Sequence, residues 1–95
     1  MENQELNEKL AKWAGFEPDA YGWLYPDKSW WRFLPYFDTD LNACFKWLVP
    51  NVEEKYSRGM VSRMLEEWIY QVVFESIEPA LAFSKAIESL INASK

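Results

Sequence analysis

Two aspartates, Asp38 and Asp40, stand one residue apart in the stretch LPYFDTDLNACFKWLVP, residues 34–50. A close carboxylate pair is what general acid–base chemistry or a divalent cation would use. The start of a helix explains the pair equally simply. Asp38 and Thr39 carry side-chain oxygens that can accept from the free N–H groups of a first turn, and both aspartates place negative charge at the positive end of the helix dipole. The chain has no histidine, so neither carboxylate has an imidazole to work with. Cys44, the one cysteine, is the other candidate nucleophile. It falls on the apolar side of the helix that follows, where a thiol is buried and inert. This inventory leaves no His-dependent triad, no zinc site of ordinary composition and no intrachain disulfide. The expectation is a non-enzymatic protein with no catalytic residue, no metal and no cofactor.

Binding chemistry is better represented. Tyr21, Trp23, Leu24 and Tyr25 precede Pro26-Asp27-Lys28-Ser29, and Trp30, Trp31, Arg32 and Phe33 follow. Three tryptophans and two tyrosines are more than one face of a small hairpin can bury. The candidate binding residues are therefore Trp23, Tyr25, Lys28, Trp30, Trp31 and Arg32. Trp, Tyr and Arg together are the residue types of interface hot spots. The same rings could stack on a nucleobase while Lys28, Arg32 or Arg58 holds a phosphate, although no glycine-rich phosphate loop accompanies them. The plain alternative for each ring is a place in the core.

The net charge of −5 argues against general nucleic-acid binding, which needs a basic face. It admits a DNA-like acidic surface, for which Glu53, Glu54, Glu66 and Glu67 are the candidates, or ordinary solubility charge. The acids are spread along the chain, as solubility charge is. Arg58 and Arg63 could hold an anion, or pair with Glu66 and Glu67 on the same helix.

The elements that must position these residues follow from spacing. The length of 95 residues fits one domain, 1–95, and an aromatic fraction of 18% fits a folded one. A first helix is expected at 3–14, with Leu6, Leu10, Trp13 and Ala14 as its stripe, Glu2 and Glu5 near its start, and Gly15 as the left-handed residue that ends it. Strand-prone aromatics on either side of Pro-Asp predict a short β-hairpin at 21–33, lying against helices. A second helix at 39–48 gathers Leu41, Cys44, Phe45 and Leu48 and stops at Pro50. A short helical piece at Val52–Tyr56 precedes a break at Ser57-Arg58-Gly59. A third helix is expected at 60–75, on the stripe Val61, Met64, Leu65, Trp68, Ile69, Val72 and Val73. Tyr70 and Phe74 fall off that stripe and suit a neighbour or a second subunit. The competing reading of Trp68–Phe74 is a strand, which would make an α/β/α sandwich. A fourth helix, 79–92, opens with Pro79, and its small residues Ala80, Ala82 and Ala86 allow close approach. Asn92–Lys95 should fray. The expected fold is α+β and helix-rich. No run is apolar enough to span a membrane, and the polar opening MENQELNEK does not read as a signal peptide. With the lone cysteine, these features point to a reducing cytoplasm.

Four motifs carry a resemblance. They are Trp-x-Gly at 13–15, GWLYPDKSWW at 22–31, Leu-Pro-x-Phe-x-Thr-Asp-Leu-Asn-Ala at 34–43, and Glu-Pro-Ala-Leu-Ala-x-x-x-Ala-Ile at 78–87. Together they resemble the small phage and prophage proteins of the phage ABA sandwich domain family, which carry two strands between the middle and last helices. The resemblance implies a phage or prophage source, a bacterial host cytoplasm, and an anti-defence role through a host protein or a signalling nucleotide. It implies no activity and no catalytic residue. The expectation is an interaction protein that binds a host or phage protein through its aromatic surface, with a second copy of the chain or a nucleotide as the other partners considered.

Overall fold

The computed structural model describes residues 4–93. The expected places of Glu2 and Asn3, and the fraying assigned to Ser94 and Lys95, lie outside the described residues.

Helix α1, Gln4–Trp13, presents Leu6, Asn7, Leu10 and Ala11 to the interior. It ends as its sequence predicts. Gly15 takes φ +100°, the Phe16 N–H donates to Ala11 O at 2.9 Å, and the Gly15 N–H donates to Lys12 O at 3.2 Å. This is the Schellman arrangement, and it drops Phe16 into the core.

The aromatic segment forms a three-stranded antiparallel sheet in the order β1 (Glu17–Pro18), β2 (Trp23–Leu24), β3 (Trp30–Trp31). The expected hairpin is β2–β3, and β1 is an addition to it. Pro18 can serve there because an edge strand leaves one side of its backbone unpaired. The turn follows the Pro-Asp signal. The Lys28 N–H donates to Tyr25 O at 2.9 Å, and the Tyr25 N–H donates to Ser29 O at 2.8 Å. Asp27 accepts from both the backbone N–H and the hydroxyl of Ser29. Lys28 closes the turn at φ 75°, a conformation that favours glycine. Gly22 is required by proximity: a Cβ there would lie 2.5 Å from Trp31 O and 2.9 Å from Arg32 Cα.

The second helix departs from expectation in both its cap and its length. Asp40, rather than Asp38 or Thr39, caps helix α2 (Leu41–Ala43), accepting from the Ala43 N–H at 3.3 Å. Pro50 does not stop it. A π-helical turn, Cys44–Leu48, leads directly into α3, Val49–Lys55. The Val49 N–H reaches back five residues to Cys44 O. That wider turn relieves the clash a proline ring makes with the carbonyl four residues before it. It also rotates the buried face, so Leu48 and Val52 follow Cys44 inward and Phe45 is left half exposed.

Helix α4, Arg58–Phe74, is capped by Ser57, whose hydroxyl accepts from the Met60 N–H. The expected break therefore falls at Ser57, and Gly59 sits inside the first turn. The helix continues to Phe74, so the strand reading of 68–74, and with it the sandwich alternative, is incorrect. Ser76 at φ 55° reverses the chain, and Pro79 opens α5, Pro79–Ala93. The fold is thus α+β and helix-rich, with its sheet ahead of the middle helix.

Helix α5 is the hub. It packs against α1, α4 and the α2–π segment. Ala82 and Ala86 are fully buried, and Ile87 and Phe83 fill the centre. One hydrophobic cluster runs from Leu6 to Ile91 and includes residues from every helix. Lys9 bridges α1 to Glu88 at 3.3 Å and to Asn92 at 2.7 Å. The exposed stripe of α4 is a second departure. Met64 alone on this helix is buried, while Leu65, Ile69 and Val73 face solvent. Among the described residues, no helix is long and apolar enough to cross a membrane.

Candidate functional site

The residues read as chemistry from the sequence separate once folded. Asp38 is buried and bound to Asn7 of α1. The Asn7 Nδ2 donates to Asp38 Oδ1 at 2.9 Å, and the Asp38 backbone N–H donates to Asn7 Oδ1 at 3.1 Å. Asp40 serves the helix cap, so the two carboxylates have different structural partners. Cys44 is fully buried. Its thiol donates to Phe37 O at 3.2 Å and lies 3.6 Å from Ser84 Oγ. Burial pushes the thiol up from 9.0 to about 11, against the Ser84 hydrogen bond that lowers it. At neutral pH it is a thiol rather than a thiolate. Among the described residues, no group of His, Cys, Asp and Glu side chains could hold a metal ion.

The aromatic segment divides into core and surface. Tyr25 belongs to the core, contrary to its expected recognition role. Its ring lies 4.6 Å from that of Phe16 and 5.3 Å from that of Trp47, and its hydroxyl donates to Phe33 O at 2.6 Å. Desolvation, then Asp27, raises its phenol above the ordinary value. Position 25 follows the turn-facing end of β2, directly over the Phe16 ring that Gly15 folds inward. Trp23 is half-buried against the core. Trp30 and Trp31 are 48% and 58% exposed. Their indole N–H groups are satisfied at the surface, Trp30 by Asp19 at 2.9 Å and Trp31 by Ser29 at 3.0 Å. Lys28 is exposed at the turn, where its backbone serves the hairpin.

A cleft of about 550 Å³ opens between α1 and the chain that leaves the sheet. Its walls include Trp23, Arg32, Phe33 and Tyr36, with Asn7 and Glu8 from α1. Two residues singled out from sequence, Trp23 and Arg32, thus meet in one concavity, and Lys28, Trp30 and Trp31 do not line it. The Arg32 guanidinium lies 5.8 Å from the Phe33 ring centre. Among the described residues the one ion pair is Lys9–Glu88, so Arg32 has its charge available. The same holds for Arg58 and Arg63, and their expected pairing with Glu66 and Glu67 is not formed. Glu67 instead accepts from Gln71.

Sequence reasoning missed Phe33 and Tyr36 as surface rings and Asn7 as a wall residue. Phe33 and Tyr36 are largely exposed beside the cleft. Asn7 carried a readable signal, being a polar residue on the face of α1 shared by Leu6, Leu10 and Ala11. A buried amide needs a partner, and Asp38 supplies it. Comparison with protein-family models, with curated proteins and with solved structures finds no match to this chain.

Proposed function

We propose that the chain is a non-enzymatic interaction module that binds a protein partner at the cleft and the rings around it. The observation that carries this reading is the concentration of unburied aromatic surface on one short segment: Tyr21, Trp30, Trp31, Phe33 and Tyr36 are all exposed, Tyr21 to 82%. Aromatic rings clustered on a small domain's surface beside a concavity are the usual anchors of a protein interface. A partner's apolar side chain would enter between Trp23 and Tyr36, and Arg32 would meet an acidic or carbonyl group at the rim. The resemblance to phage ABA sandwich proteins extends the reading to a host protein as partner and an anti-defence role in a bacterial cytoplasm.

The test is affinity capture from bacterial lysate with tagged protein, comparing the wild type with Trp31→Ala and with Phe33→Ala. A stoichiometric partner whose affinity falls at least about tenfold in either variant supports the reading. A partner retained unchanged by both would move the interface elsewhere.

A second reading has its own observation. The cleft volume lies within the range of small-molecule sites, and an unpaired arginine beside three aromatic rings suits a flat anionic ligand such as a nucleotide. A rise in melting temperature with one member of a nucleotide panel, abolished by Arg32→Ala, would favour it.

A further inference from the structure

We propose that two copies of this chain pair through α4, antiparallel about a two-fold axis near Ile69. The helix spends only part of its apolar surface on its own fold. Met64 and Trp68 turn to α5, with the Trp68 indole N–H donating to Pro79 O at 3.0 Å and its ring 4.8 Å from Phe83. The next arc of the helix holds Leu65, Ile69 and Val73, which are 39%, 56% and 61% exposed. Tyr70 and Phe74 continue it at the C-terminal end, their rings 5.1 Å apart and Phe74 72% exposed. Among the described residues, none covers these five side chains fully.

Their spacing and extent fit a second copy. Leu65, Ile69 and Val73 form one i±4 ridge, the feature that interlocks with an identical ridge in the commonest helix–helix packing class. With half-exposed Phe45 alongside Trp68, the apolar area comes to roughly 700 Å² per protomer, close to the ~800 Å² a stable interface buries on each side. The two helix dipoles oppose each other favourably in an antiparallel pair. The paired face shares no residue with the cleft, so the dimer would present two clefts, and the inference does not depend on what they bind.

Sedimentation velocity on the full-length protein tests this. At about 100 µM, the concentration scale of a modest interface, the wild type should sediment at twice the 11.3 kDa chain mass. Ile69→Glu should sediment as a monomer, its association weakened at least about a hundredfold, because the two-fold sets one glutamate against the other. Ile69→Lys should do the same, and an equimolar mixture of the two variants should restore the dimer. Residue 69 is exposed, so a cooperative melting transition in the monomeric variant, lowered only by the lost association, shows that its fold survives. A monomeric wild type, or a dimer indifferent to Ile69→Glu, would overturn the proposal. So would a pair of variants that fails to reassociate on mixing.

Discussion

The Asn7–Asp38 contact joins α1 to the segment that forms one wall of the cleft, and its removal should be costly for a definable reason. Both residues are 5% exposed. Asn7→Ala removes the 2.9 Å amide donor from a buried carboxylate and the acceptor of the Asp38 backbone N–H at 3.1 Å. A hydrogen bond to a charged group contributes about 1.5–3 kcal/mol and a neutral one about 1, so the loss should be about 2–4 kcal/mol. In a domain of this size that lowers the melting temperature by roughly 10–20 °C. Asn7→Asp is the sharper perturbation because it keeps the shape and changes only the chemistry. At pH 7 it sets carboxylate against carboxylate and should cost more than Asn7→Ala. As the pH falls, a protonated carboxyl at position 7 can donate where the amide did, so the gap between the two variants should close or reverse. Urea titrations of the wild type and both variants, at several pH values between 4 and 7, measure this. A loss below about 1 kcal/mol in Asn7→Ala, or Asn7→Asp tracking Asn7→Ala at every pH, would refute the assignment of this pair as a structural tie.

Four further perturbations follow from local geometry. Lys28→Gly removes the cost of holding a side chain at φ 75° and should raise stability by about 1 kcal/mol in urea titration. Gly22→Ala forces a Cβ against Trp31 O and Arg32 Cα; it should cost about 1–3 kcal/mol and shift the tryptophan fluorescence as β3 is displaced. Gln71→Met removes a buried side-chain oxygen that has no hydrogen-bond partner, together with the amide's 3.3 Å bond to Glu67, and should stabilise by up to about 1 kcal/mol, again by denaturant titration. Cys44 sets an alkaline limit. Its folded thiol is raised from 9.0 to about 11, so its contribution is complete below 9 and is lost as pH rises toward 11. Over that range the wild type should lose on the order of 2 kcal/mol more than Cys44→Ala.

Local signals were sufficient where the decisive chemistry is local. Gly15, Ser57 and Pro79 mark helix ends because a left-handed residue, a capping hydroxyl and a missing N–H each act within one turn. Pro50 shows where such signals fail. Read locally, it ends a helix, yet here the backbone widens by one residue per turn and continues. Continuation buries Val52 to 1% exposure and lets Asn51 donate to Ala14 O at 3.5 Å. Those contacts are non-local gains that outweigh a local penalty. The α4 stripe is a similar case. Its period correctly predicts a helix, but periodicity reports which residues share a face and not what lies opposite that face.

The candidate site was legible in residue type and only partly in position. Tryptophan, tyrosine and arginine concentrated in one segment pointed to the region that carries the cleft, and Trp23 and Arg32 line it. What sequence could not supply was the division of rings between core and solvent, because strands of two residues are too short to establish an inside and an outside by alternation. That division is set from outside the segment. The Phe16 ring, brought inward by the end of α1, and Trp47, carried by the π turn, hold Tyr25 between them. With Tyr25 fixed, its hydroxyl anchors the backbone at Phe33, and the chain beyond must run outward past α1 to reach Asp38 and its tie to Asn7. Phe33 and Tyr36 lie on that outward run, so their exposure follows from two buried anchors, one at either end. A ring that neither anchor can bring into the core is left available for a partner.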